Sequence, residues 1–98
     1  MPQAVSIVNT SVSPVANGHK SANGTAAALA STSSLKRGVI IKNPSDSGVD
    51  VYVGASTVTS STGFQLEPGE KEFFPISDPS LIYVVTSGAA ATVSYIAI

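Results

Sequence analysis

Residues 36–54, KRGVIIKNPSDSGVDVYVG, carry the clearest alternation of apolar and polar positions in this chain. Val39, Ile40 and Ile41 are consecutive β-branched residues, which suit the pleated surface of a strand. Val49, Val51 and Val53 alternate with Asp50 and Tyr52, the period of two that marks a strand with one face buried. Between the two runs lie Asn43, Pro44, Ser45, Asp46, Ser47 and Gly48. Pro44 presets φ, Asn43 and Asp46 can bond nearby backbone, and Gly48 permits positive φ. The stretch predicts two strands joined by a turn, with the remaining strands wrapped around them.

The same rhythm continues to residue 98. Residues 55–62, ASTVTSST, read as a short polar strand or a wide loop around Val58. Phe64 and Leu66 then fall on one face of a strand. Pro68-Gly69 fits the central positions of a type II turn. The returning strand places Glu72, Phe74 and Ile76 on one face and Lys71, Phe73 and Pro75 on the other. Pro75 cannot donate to a ladder, so this strand is predicted to lie at an edge or to stop there. Asp78, Pro79 and Ser80 mark another turn, and residues 81–86, LIYVVT, are a nearly continuous apolar run. In residues 91–98, ATVSYIAI, Val93, Tyr95 and Ala97 share one face. Thr92, Ser94, Ile96 and Ile98 share the other. Apolar residues on both faces predict a strand covered on both sides, by a second sheet and by another chain. Short strands and turns at this spacing define an all-β fold, a compact antiparallel β-sandwich or jelly-roll-like barrel.

The first third is different. Residues 1–35 are rich in Ser, Thr, Ala, Asn and Gly, and Lys20 is their only charged side chain. Residues 3–9 alternate enough for one strand. Residues 10–24 form a polar passage in which Asn17-Gly18 and Asn23-Gly24 read as tight turns. Residues 25–34, TAAALASTSS, read as a strand rather than a helix, because every later segment is a strand. The expected organisation is an N-terminal strand and extended arm over 1–24 and a β-sandwich domain over 25–98. Two readings of the arm stay open: it is loose, or it orders against a neighbouring subunit.

Composition narrows the function. The chain has no cysteine, so disulfides and thiolate metal sites are excluded. A domain of 98 residues has only a modest private core, so oligomerisation is expected to contribute to its stability. Net charge is −1, which argues against a nucleic-acid or anionic-membrane footprint. Charged residues make up only 11% of the chain, against a usual quarter, so much of the surface is small and uncharged and suits coverage by a partner. The N-terminal MPQAVSIVNT lacks a basic segment followed by an apolar run, so no signal peptide is expected.

No constellation points to catalysis. His19 is the only histidine, and it sits beside Lys20 in a polar stretch. One histidine without cysteine cannot make a zinc site of the usual ligand set. Asp46 and Asp50 lack the spacing of a calcium loop and read as turn residues. Glu67, Glu70 and Glu72 surround the Pro68-Gly69 turn and read as solvated charges rather than a hydrolytic pair. There is no nucleophile elbow and no phosphate-cradling loop. The expectation is a protein that is not an enzyme and needs no cofactor. Tyr52, Tyr83 and Tyr95 could line a ligand face, with Tyr83 and Tyr95 in neighbouring strands, but packing is the expected use.

Several segments together resemble a known family. TAAALAS, RGVIIKN, VYVGASTVTSSTGFQLEPGE, LIYV and ATVSYIAI are similar to the small β-sandwich of tailed-bacteriophage virion proteins, most of all capsid decoration or cement proteins. The resemblance covers roughly residues 25–98 and leaves the arm outside. It implies synthesis in the host bacterial cytoplasm and a final place on the virion, at the capsid surface. It also implies binding to the major capsid protein and to itself as a homo-oligomer, a trimer being favoured, with neither nucleic acid nor membrane as partner. Val12, Pro14, Val15, Ile40, Ile96 and Ile98 are the candidate partner contacts. The alternative is a carbohydrate- or receptor-binding module of a phage fibre or tail.

Overall fold

The computed structural model describes residues 15–30 and 36–98. They form eight strands: β1 (Ala16–Ala22), β2 (Ala27–Ala28), β3 (Val39–Lys42), β4 (Val51–Gly54), β5 (Phe64–Leu66), β6 (Lys71–Phe74), β7 (Tyr83–Val85) and β8 (Ala91–Ala97). A single 3₁₀ turn, Pro79–Leu81, is capped by Asp78, whose carboxylate accepts from the Ser80 amide and hydroxyl. Among the described residues no helix is long and apolar enough to cross a membrane.

The strands make two four-stranded antiparallel sheets. One, sheet A, has the order β1-β8-β3-β6, and the other, sheet B, has β2-β7-β4-β5. Each strand of the first half pairs with its counterpart counted from the other end: β1 with β8, β2 with β7, β3 with β6 and β4 with β5. This nested pairing, folded over into two sheets, is the jelly roll. The fold class read from the sequence is therefore the observed one.

The core lies between the sheets. Ala22, Val39, Ile41, Val93 and Ala97 face inward from sheet A, and Val51, Val53, Leu66 and Val84 from sheet B. Leu29 and Ile82 complete it just outside the strands, linked by the Leu29 amide donating to the Ile82 carbonyl. On the open side between β5 and β6, the Phe64 and Phe74 rings meet edge to face, with centroids 5.7 Å apart. That geometry suits the ring quadrupoles.

Several local expectations change. Residues 36–54 do supply an interior strand of each sheet, but β3 and β4 do not pair with each other. The turn between them carries the chain from sheet A to sheet B. Gly48 does take a positive φ of 74°. Asn43, however, does not bond its own turn locally. Its Nδ2 donates to the Val49 and Leu66 carbonyls, both at 2.8 Å, from a fully buried position. Its backbone also exchanges hydrogen bonds with the neighbouring turn: Asn43 N donates to Glu70 O, and Gly69 N donates to Asn43 O. Asn43 thus clamps two sheet-crossing turns together.

The Pro68-Gly69 turn is as read. Glu70 N donates to Glu67 O, and Gly69 has φ of 91°. β6 is an edge strand that stops before Pro75, also as expected. Residues 55–62 are a loop of turns rather than a strand, knotted by hydrogen bonds between Thr59 and Thr62.

The largest revision concerns residues 16–22. Their sequence predicts part of a polar passage with a turn at Asn17-Gly18. Instead all of them pair with β8, and the expected boundary at residue 24 falls just after a strand of sheet A. Gly18 is explained by packing. Its strand partner is Tyr95, and a Cβ on Gly18 would come within 2.9 Å of the Tyr95 hydroxyl. The Asn23-Gly24 turn is real, with Asn23 Oδ1 accepting from the Thr25 amide. β2 is shorter than the strand predicted over 25–34, and residues 31–34 of that prediction lie outside the described residues.

Candidate partner-docking face

The two outer faces of the sandwich are unlike each other. Over sheet B the β4–β5 loop folds back, bringing Val58 against Gly54 and Gly63. Any Cβ at either glycine would lie 2.8 Å from Val58 Cγ2. A Cβ at Gly63 would also lie 2.6 Å from Tyr52 Cβ. Val58 and Val85 are buried although they belong to no part of the inter-sheet core. Sheet B thus carries its own cover.

Sheet A does not. Alternation along its strands sends Val15, Asn17, His19 and Ser21 outward on one edge, and Lys71 and Phe73 outward on the other. From the two middle strands come Thr92, Ser94, Ile96 and Ile98, and Ile40 and Lys42. The ladders stack these into rows. One row runs Asn17, Ile96, Ile40, Phe73, and the next runs His19, Ser94, Lys42, Lys71. Beyond the apolar row lies Ile98, which exchanges backbone hydrogen bonds with Gly38. Val15 sits on the same side, one residue before the Ala16–Ala97 pair. Phe73 is 45% exposed, Ile96 39%, Ile98 40% and Val15 61%.

Four of the six residues expected to contact a partner therefore converge on one face: Val15, Ile40, Ile96 and Ile98. Val12 and Pro14 lie outside the described residues. Phe73 belongs with the four and was not among the expected contacts. The signal for it was available, since Phe73 alternates with Phe74 on a strand already read as an edge. What the alternation could not supply was the β3–β6 register that sets Phe73 beside Ile40.

Gly38 shapes this face. The Phe73 ring lies over it, in the space a side chain would occupy. A Cβ there would also approach the Phe74 carbonyl to 2.9 Å, and backbone cannot swing aside as a ring can. Gly38→Val is expected to lift Phe73 from the face and to destabilise the fold by about 1–3 kcal/mol, the usual cost of overpacking. Urea melts, and loss of ring-current shifts from Phe73 in proton NMR, check this.

The remaining chemistry-bearing residues stay scattered. His19 is exposed and faces Ser94 across the β1–β8 ladder. Among the described residues no carboxylate orients its imidazole, and no three His, Cys, Asp or Glu side chains gather as a metal site. Glu67, Glu70 and Glu72 are exposed, and Glu70 uses its carboxylate to accept from the Glu67 amide at 2.7 Å. Asp50 accepts from Gln65 Nε2 at 2.7 Å. Tyr83 and Tyr95 do not neighbour one another, because β7 and β8 belong to different sheets. Tyr52 and Tyr83 instead share the outer face of sheet B, two positions apart along the β4–β7 ladder.

What the described residues offer on this face is an apolar row with a basic margin. No family model matches the chain, and no curated protein matches it in sequence.

Proposed function

We propose that this protein is a phage capsid decoration, or cement, protein. It binds the outer surface of the assembled head through the uncovered face of sheet A and stabilises the lattice. The observation that carries this reading is the asymmetry of the sandwich. Sheet B folds its own loop over its outer surface, whereas sheet A leaves Val15, Ile40, Phe73, Ile96 and Ile98 for something else to cover. Clustered apolar exposure of this kind marks interaction surfaces. The resemblance of residues 25–98 to virion β-sandwiches supports the same reading, and the jelly-roll fold adds support by analogy only, since jelly rolls also serve as lectins and enzymes. On this reading the major capsid protein and further copies of the chain, in a trimer, are the partners, and the chain catalyses nothing. A ligand that binds only assembled shell stabilises it by mass action.

Quantitative mass spectrometry of purified particles should find the chain in fixed ratio to the major capsid protein. Cryo-electron microscopy should place it on the outside of the head. Its presence in infected-cell lysate but not in particles overturns the proposal.

The alternative is a carbohydrate- or receptor-binding module of a fibre or tail. It draws on Tyr52 and Tyr83, which share one face. Both are half-buried beside the β4–β5 loop, so they offer little free ring surface. Localisation to tail fibres together with glycan binding lost in Tyr83→Ala would favour it.

A further inference from the structure

Beside the apolar row of sheet A, Lys42 and Lys71 stand directly opposite each other in the β3–β6 ladder. Like charges in that position repel and destabilise the pairing. Both side chains are exposed, and neither makes an ion pair with any described residue. With Ser94 they rim a shallow depression of about 260 Å³ whose floor is Ile40 and Ile96. No outward position of the described sheet A strands holds an acidic side chain. A chain of net charge −1 has therefore placed two adjacent cations, without an ion-pair partner among the described residues, at the margin of the apolar row of sheet A.

We propose that this face docks an acidic, apolar-bearing segment of a protein partner, its apolar side chains on Ile40, Ile96 and Phe73 and its carboxylates against Lys42 and Lys71. The inference rests on sheet A being the capsid-binding face, and it names the chemistry required of the capsid protein there. A second copy seated face to face offers the same two lysines and no acidic side chain, so its charges do not complement this surface. A purely anionic ligand, such as a sulfated sugar, leaves the apolar floor unused. Charge complementarity of this kind speeds encounter and fixes register more than it adds raw affinity.

The probe is a short extended peptide of alternating leucine and glutamate, titrated into the ¹⁵N-labelled chain. Its leucine–glutamine counterpart and polyglutamate serve as controls. The expected result is amide shifts confined to residues around Ile40, Lys42, Lys71 and Ile96. Binding should weaken about tenfold in Lys42→Glu/Lys71→Glu and with added salt. Both lysines are exposed, so the variant should keep the wild-type spectrum elsewhere. Equal binding of the leucine–glutamine peptide or of polyglutamate, no shift at these residues, or an unaffected double variant each overturns the proposal. So does self-association that the double variant abolishes, seen by sedimentation, since it makes a second copy the occupant. The capsid reading is judged separately. Peptide binding at this face by a chain absent from heads keeps the surface and removes the capsid. Heads decorated equally well by the double variant keep the capsid and remove this surface.

Discussion

Ile41→Asp is expected to leave the chain unfolded at neutral pH. Ile41 is fully buried, on the interior strand of sheet A between β8 and β6, with its side chain in the core. Among the described residues the core around that position is apolar, so a carboxylate there meets Val39, Val51, Val93 and their neighbours rather than a cation. Burying an unpaired charge costs several kcal/mol even after relaxation, and the isoleucine packing is lost besides. A domain of this size has a total stability of about 5–10 kcal/mol. The substitution removes most or all of it. Ile41→Val, which only trims a methyl group, should cost about 1 kcal/mol and keep the fold. Circular dichroism and amide dispersion in NMR distinguish the two outcomes. A soluble Ile41→Asp protein with the wild-type melting temperature would place this residue outside the core.

The second large effect falls on Asn43. Its amide supplies two donors to two carbonyls, those of Val49 and Leu66, while its Oδ1 is itself buried without a hydrogen-bond partner among the described residues. Asn43→Ala takes the amide donor from both carbonyls; Val49 O keeps the Ser47 hydroxyl, so the loss falls mainly on the buried Leu66 O. At about 1–3 kcal/mol for an unsatisfied buried group, the loss should be about 1–3 kcal/mol in urea melts. Asn43→Asp has the right shape and the wrong chemistry, since a carboxylate among carbonyl oxygens donates nothing. Its ionised form is disfavoured in the native state, so its folded pKa lies above the unfolded value of about 3.9. The native protein then binds more protons than the unfolded chain between those two values. Stability of the variant relative to wild type is greatest below the unfolded pKa and falls as pH rises through the folded one. Melts of both proteins at about pH 4 and about pH 7 check the sign. A gap between them that does not widen at the higher pH would show that residue 43 is solvated.

These two residues also show what the sequence could disclose. Ile41 was legible, because alternation along a strand depends on the residue's own neighbours. Gly69, Gly48 and Pro75 were legible for the same reason, each acting within one turn or at one strand end. Asn43 was identified as a turn residue, yet its partners lie six and 23 positions away, where no local rule reaches. Residues 16–22 were missed for a related reason. Asn-Gly signals a turn when nothing else explains the glycine, but here the reason is Tyr95 across the ladder. A strand of small polar residues at a sheet edge has weak alternation, and only its register with β8 reveals it. The docking face was half legible. Outward apolar residues were found strand by strand, whereas their union into one row with Phe73, and the facing lysines beside it, required the order β1-β8-β3-β6.

That order has a consequence for how the protein is made. β8 lies in the interior of sheet A although it is the last of the described strands, and β1 pairs with it. The innermost pair, β4 and β5, closes over a short loop, but Ala22 must wait for Ala91. Pairings so distant in sequence are slow to form. During synthesis all four strands of sheet B precede residues 91–97, but no nascent fragment short of those residues can display the row in which Ile96 sits between Asn17 and Ile40. The row therefore exists only after residues 91–97 have paired with both β1 and β3.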